Sequence, residues 1–122
     1  MKKIYYLKTC DTCKRIIKQM TAAMGTDRLE GFVLQEIKTE SITVSQIEEM
    51  YKYTKSYEAL FSRRAKKYKQ MDLKNQTLTK DDYKQLILEE YTFLKRPVII
   101  VDNEIFVGNS KNVIANMLEK LA

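Results

Sequence analysis

The spacing of apolar positions changes along this chain, and each change marks an element. Lys3–Leu7 is a short run rich in Ile and Tyr, which predicts a strand. From Asp11 to Met24 the apolar positions Cys13, Ile16, Ile17, Met20 and Met24 recur every three or four residues, the signature of one face of a helix. Gly25 is placed to stop that helix, and Gly31 opens a second strand over Phe32–Ile37. Thr43 and Gln46 then form a capping box, in which each side chain accepts from a backbone N–H of the first helical turn. Ile42 and Ile47 flank it as a hydrophobic staple. A further helix is predicted over Tyr57–Tyr68. Thr79 is predicted to cap the next, with Asp81 and Asp82 at its positive end and Tyr83, Leu86, Ile87 and Tyr91 on its inner face. Beyond Pro97 the pattern reverts. Val98–Val101 is a continuous β-branched run, as expected of a strand buried on both faces. Asp102-Asn103 is a turn signal, and Glu104–Val107 returns as the paired strand. Ser110 can cap a last helix that turns Val113, Ile114, Met117, Leu118 and Leu121 inward.

The order is therefore β-α-β, several helices, then a β-hairpin and a helix. Strands joined by so short a turn must run antiparallel, which disfavours a doubly wound parallel sheet. The expected fold is α/β: a thioredoxin-like core with a mixed four-stranded sheet, interrupted by a helical insertion. The core is expected over about residues 1–37 and 95–122 and the insertion over about 38–94, all within one domain of 122 residues.

Composition narrows the chemistry. A hydrophobic content of 44% is enough for a packed globule rather than a disordered chain. No apolar run is long enough to span a membrane, and the opening segment is too short to be a signal peptide. A cytoplasmic protein is therefore expected, and a monomer. In that reducing compartment a close cysteine pair points to catalysis, sensing or metal binding rather than to a structural bridge. The chain has no histidine, which excludes Ser-His-Asp and Cys-His catalysis. Two cysteines without histidine argue against an intrachain metal site, although the motif alone would fit half of one shared between chains. The net charge of +6 comes mostly from lysines that suit solvated helix faces. No nucleic-acid-reading motif accompanies them, so no direct contact with nucleic acid is expected.

The two cysteines, Cys10 and Cys13, stand three apart where the first strand feeds the first helix. Residues so spaced lie about 5–6 Å apart at Cβ, close enough for a disulfide after small adjustment. At the helix start, Cys10 faces unpaired N–H groups and the positive end of the dipole, which favour thiolate over thiol. Lys8, Lys14 and Arg15 act in the same sense and Asp11 against it. Cys10 is therefore the expected nucleophile. Cys13, one turn inside on the apolar face, is the expected resolving thiol. Arg96 and Arg64 are the candidates for gripping an oxyanion, because a planar guanidinium holds two oxygens at once. Pro97 stands directly before the buried strand, where a thioredoxin-like core places a cis-proline facing its cysteine pair.

Five stretches together resemble the arsenate-reductase-related (ArsC/Spx) family. They are Tyr6-Leu-Lys-Thr-Cys-Asp-Thr-Cys-Lys14, Ile37-Lys-Thr-Glu40, the basic segment Ser62 to Leu73, Leu94-Lys-Arg-Pro-Val-Ile-Ile100 and Val107-Gly-Asn-Ser110. They follow the family's order and cover essentially the whole chain. The resemblance implies a nucleophilic Cys10, an anion-binding Arg96 and a cis-proline at Pro97. It aligns Arg64 with the basic-segment arginine of the Spx-like branch. Lys14 follows the cysteine pair and joins the expected anion-binding set. Ser62 and Gly108 stand where the glutaredoxin-coupled reductases carry arginines, and Cys13 stands where those enzymes usually have no cysteine. The chain is thus nearer the Cys-X-X-Cys, Spx-like branch than the true arsenate reductases. The implied activity is a thiol-dependent, arsenate-reductase-like oxidoreduction of an oxyanion or oxidised thiol. No tightly bound cofactor is expected, and thioredoxin, glutaredoxin or a low-molecular-weight thiol would serve as reductant. The alternative is an Spx-like regulator that binds the RNA polymerase α subunit and is switched by a Cys10–Cys13 disulfide. Ser56 replaces the glycine those regulators use near the polymerase contact.

Overall fold

The computed structural model describes residues 1–122. In chain order the elements are β1 (Lys2–Tyr6), α1 (Asp11–Met24), β2 (Val33–Glu36), α2 (Val44–Thr54), α3 (Lys66–Gln70), α4 (Lys80–Glu89), β3 (Val98–Val101), β4 (Glu104–Val107) and α5 (Lys111–Leu121), with short 3₁₀ turns between some of them. They fall into two compact units, Met1–Thr39 with Arg96–Ala122, and Glu40–Lys95.

The first unit holds a four-stranded sheet in the order β2-β1-β3-β4. The α1 crossover is long enough to bring β2 parallel to β1, while β3 runs antiparallel to both β1 and β4. This is the mixed sheet of a thioredoxin-like α/β fold. Asp102 turns the β3–β4 hairpin with a left-handed φ of 55°, a conformation Asp tolerates better than most residues. The register sets Ile4 opposite Ile99, and Ile99 opposite Phe106. All three join one core with Phe32 and Val101, Ile16 and Met20 of α1, and Met117 of α5. Each large apolar side chain so buried contributes about 1.5–3 kcal/mol. Val98 and Ile100, which alternate onto the other face, are buried as well, so β3 is covered on both faces as its composition predicts. The outermost strand, β2, differs: Val33 and Leu34 are 59% and 41% exposed, while Gln35 is buried.

The helix ends follow local chemistry. Gly25 (φ 71°) closes α1 in a Schellman motif: its N–H donates to the Ala22 carbonyl at 3.1 Å, and the Thr26 N–H donates to the Thr21 carbonyl at 3.0 Å. The Ser110 hydroxyl accepts from the Val113 N–H at 3.3 Å and starts α5.

In the second unit the predicted Thr43–Gln46 box opens α2, with both hydrogen bonds at 3.1 Å. Thr79 opens α4 with Asp82 in the reciprocal role, at 3.2 and 2.8 Å. The helix expected over Tyr57–Tyr68 does not form. A 3₁₀ turn at Glu58–Leu60 gives way to extended backbone at Phe61, which pairs antiparallel with Leu94. The Ser62 N–H donates to the Phe93 carbonyl at 2.7 Å, and the Lys95 N–H donates to the Leu60 carbonyl at 2.9 Å. Phe61 also stacks on Phe93 with ring centroids 5.0 Å apart and meets Tyr83 edge-on at 5.0 Å. These long-range bonds and ring contacts outweigh the small helix propensity of the segment, and helix resumes only at α3. Tyr91 likewise lies beyond α4, in a 3₁₀ turn. There the Glu90 carboxylate accepts from the Thr92 N–H at 3.3 Å and fixes a new start.

Candidate functional site

Cys10 occupies the N-cap of α1 in extended conformation, φ −89° and ψ 112°. Its own N–H donates to the Leu7 carbonyl at 3.2 Å, closing the turn that leaves β1. Its carbonyl accepts the first helical hydrogen bond, from the Lys14 N–H at 3.1 Å. The Sγ of Cys10 in turn accepts from the Cys13 N–H at 3.4 Å. The sulfur therefore stands where a capping hydroxyl would stand in an ordinary helix.

Both cysteines are thiols, Cys10 partly exposed and Cys13 fully buried. Burial by itself raises the Cys10 pKa. The Cys13 N–H and thiol, the Arg96 charge and the Thr12 N–H outweigh it, so the Cys10 pKa lies below the ordinary thiol value. Cys13 moves the other way. Burial pushes it up to about 11, the neighbouring Cys10 adds to the rise, and a hydrogen bond from the Leu7 backbone and the Arg96 charge oppose it. Two thiols one helical turn apart are thus made chemically unlike.

Arg96 stands two residues before β3, ahead of Pro97, and is partly buried. The Arg96–Pro97 peptide is cis. The Arg96 carbonyl accepts from the Asn109 side-chain amide at 3.3 Å, and the Pro97 carbonyl accepts from the Gly108 N–H at 2.9 Å. These bonds fix the segment to the chain between β4 and α5, so Cys10, Cys13, Arg96 and Pro97 all lie in the first unit. Lys14 is exposed on α1 of the same unit. Arg64 belongs to the second unit, exposed just before α3, where its N–H donates to the Ser62 hydroxyl at 3.3 Å.

One group was not singled out from the sequence. The Glu36 carboxylate, at the end of β2, accepts from the Lys8 N–H at 3.2 Å through one oxygen. Through the other it accepts from the Thr39 N–H at 3.0 Å and the Thr39 hydroxyl at 3.1 Å. An acidic residue closing a strand carries no pattern that would mark it beforehand.

A thioredoxin-like sheet with a thiol pair at the start of its first helix and a cis-proline entering β3 defines the class. The chain belongs to the ArsC family, whose model matches residues 5–117. Among solved structures it is similar to an arsenate reductase (ArsC) related protein from Brucella melitensis, with 23% identity over 91% of this chain and 88% of that one and a TM-score of 0.66. It is similar to the arsenate reductase from Vibrio cholerae, with 15% identity over 97% and 95% of the two chains and a TM-score of 0.74. It is also similar to a Staphylococcus aureus COL protein, with 25% identity over 95% and 97% and a TM-score of 0.72. No curated protein matches. No helix is long and apolar enough to cross a membrane.

Proposed function

We propose that the protein is a thiol-dependent oxidoreductase in which Cys10 is the nucleophile and Cys13 the resolving thiol. The observation that carries this reading is the partly exposed Cys10 sulfur seated at the N-cap of α1, 3.4 Å from the Cys13 N–H, with the buried Cys13 one turn behind it. The Cys10 thiolate attacks one sulfur of an oxidised thiol, forming a mixed disulfide and expelling the other sulfur as thiolate. Cys13 then gives its proton to the departing thiolate and attacks the Cys10 sulfur. A Cys10–Cys13 disulfide remains, and two electrons have passed to the substrate. With an oxyanion such as arsenate, the first step is condensation on Cys10 with loss of water. The attack of Cys13 then releases the reduced oxyanion. Arg96 balances negative charge on the bound substrate, and Lys14 of the same unit is assigned to the same task. A thioredoxin, a glutaredoxin or a small thiol of the cytoplasm restores the dithiol.

The test is single turnover against arsenate and against oxidised glutathione, with adducts followed by mass spectrometry. Cys10→Ser is expected to form no adduct. Cys13→Ser is expected to accumulate the Cys10 adduct without releasing product. Unchanged turnover in Cys10→Ser would refute the mechanism.

A second reading is a redox-switched regulator, against which Ser56 counts because it replaces the glycine such regulators use near the polymerase contact. This residue lines a cleft of about 240 Å³ in the second unit together with Tyr51, Lys55, Tyr57 and Lys80. In a redox-switched regulator the cleft would be the contact surface for the RNA polymerase α subunit, and the Cys10–Cys13 disulfide the signal. Pull-down from extract under oxidising and reducing conditions separates the readings, since only the regulator recovers polymerase in a redox-dependent way.

A further inference from the structure

We infer that Glu36 is a positioning residue for Cys10, acting through the backbone turn that carries the nucleophile. The inference rests on the proposed role of Cys10 and adds a residue to it. The parallel pairing of β1 and β2 reaches Tyr6 opposite Glu36, and its last backbone bond runs from the Ile37 N–H to the Tyr6 carbonyl at 3.0 Å. Beyond that rung the two strands part. β1 enters the turn Leu7–Cys10, and β2 enters the turn that contains Thr39. The Glu36 side chain spans the gap, holding the Lys8 N–H with one oxygen and the Thr39 N–H and hydroxyl with the other. Lys8 lies inside the turn that the Cys10 N–H closes onto the Leu7 carbonyl. The carboxylate therefore fixes the path of the chain two residues before the sulfur, and so fixes where that sulfur stands at the N-terminus of α1.

The chemistry explains why this group is a carboxylate. Backbone N–H groups approach both of its ends, so both ends must accept. An ionised carboxylate has acceptors on each oxygen and no donor, whereas the isosteric Gln must aim an NH₂ at one of those N–H groups. Gln thus leaves at least one donor facing a donor, a worse outcome than a missing contact. These acceptances also explain a Glu36 pKa held low: burial opposes it, and the N–H groups of Lys8, Thr39 and Lys38 with the Thr39 hydroxyl together outweigh that.

The direction of the effect on Cys10 tells positioning from simple charge. The groups that act on the Cys10 sulfur are Arg96, the Cys13 thiol and the N–H groups of Thr12 and Cys13. If Glu36 acted only as a negative charge, neutralising it would lower the Cys10 pKa and speed its reactions. If Glu36 holds the turn, loosening it lets the sulfur leave the N–H groups and the cation, and the pKa rises.

The experiment measures iodoacetamide alkylation of Cys10 against pH in wild type, Glu36→Gln and Glu36→Asp, with mass spectrometry locating the label and circular dichroism confirming the fold. In Glu36→Gln the pKa should rise, and the alkylation rate below the wild-type pKa should fall about three- to tenfold, the range that helix-terminus effects on thiols allow. Glu36→Asp keeps acceptors at both ends and should recover most of the rate. A Glu36→Gln profile that overlays the wild type, or shifts to lower pKa, overturns the positioning role. A wild-type Cys10 that titrates like an ordinary thiol instead overturns the reading of Cys10 as nucleophile, and the role of Glu36 with it.

Discussion

Cys10 is a helix cap as well as a thiol, and its substitution should separate the two roles. In the reduced protein its sulfur accepts from the Cys13 N–H at 3.4 Å, so Cys10→Ala leaves an orphan donor in the first turn of α1. Losing an N-cap acceptor costs about 1 kcal/mol, within a range of roughly 0.5–2. The thiolate adds an anion at the positive end of the helix, for roughly 0.3–1 kcal/mol more. The sulfur is partly exposed, so the lower half of that second range applies. Cys10→Ser keeps an acceptor and loses only the anion. For a chain of this length, 1 kcal/mol corresponds to about 4 °C in Tm. Cys10→Ala should therefore melt about 5–7 °C below wild type, and Cys10→Ser only about 1–3 °C below it.

The pH dependence follows from the direction of the shift. The folded pKa of Cys10 lies below the ordinary thiol value. Its anionic contribution is thus complete above the unfolded thiol pKa of roughly 8.5 and vanishes as pH falls through the folded value. The gap between wild type and Cys10→Ser should narrow as pH drops from about 9 toward 5, while Cys10→Ala stays below Cys10→Ser throughout. Scanning calorimetry with a non-thiol reductant measures all three proteins across that window. Equal melting of the Ser and Ala variants, with a wild-type gap independent of pH, would refute the capping argument.

Arg96→Met removes the cation that acts on both sulfurs, so the Cys10 pKa should rise and its alkylation at neutral pH should slow about tenfold, which stopped-flow kinetics would show. Phe61→Ala empties a site stacked on Phe93 and edge-on to Tyr83, and should cost about 3–5 kcal/mol in urea unfolding. A loss under 1 kcal/mol would mean that the ring cluster is not a packed core. Thr79→Ala breaks the Thr79–Asp82 box and should lower stability by about 1 kcal/mol without changing the Cys10 alkylation profile.

The cysteine pair was legible because its chemistry is local. Strand, cap and helix face all lie within the first 24 residues, and the N-cap geometry follows from spacing alone. That stretch also holds most of what makes the two thiols unlike, the burial of Cys13 and the N–H groups of Thr12 and Cys13 at Cys10; what it lacks is the remote charge and acceptor around the pair. Arg96 reaches Cys10 from the entry to β3, and Glu36 grips Lys8 from 28 positions away. The failed helix at Tyr57–Tyr68 has the same cause in the second unit. Its apolar spacing allows a helix, and only the ladder to Leu94 and the ring of Phe93 make Phe61 extended.

By itself, the chain determined what short-range forces decide. The capping boxes at Thr43 and Thr79, the Gly25 stop, the tight β3–β4 hairpin and the all-β-branched β3 each rest on residues within a few positions of one another. From these the order of strands and helices follows, and with it the mixed sheet. Tertiary structure decided the rest: which surfaces of β2 stay exposed, where Phe61 pairs, and which charges and acceptors surround Cys10. Those depend on contacts between distant segments, whose partners leave no periodic trace in either segment because closing a long loop costs almost the same free energy for many alternative pairings.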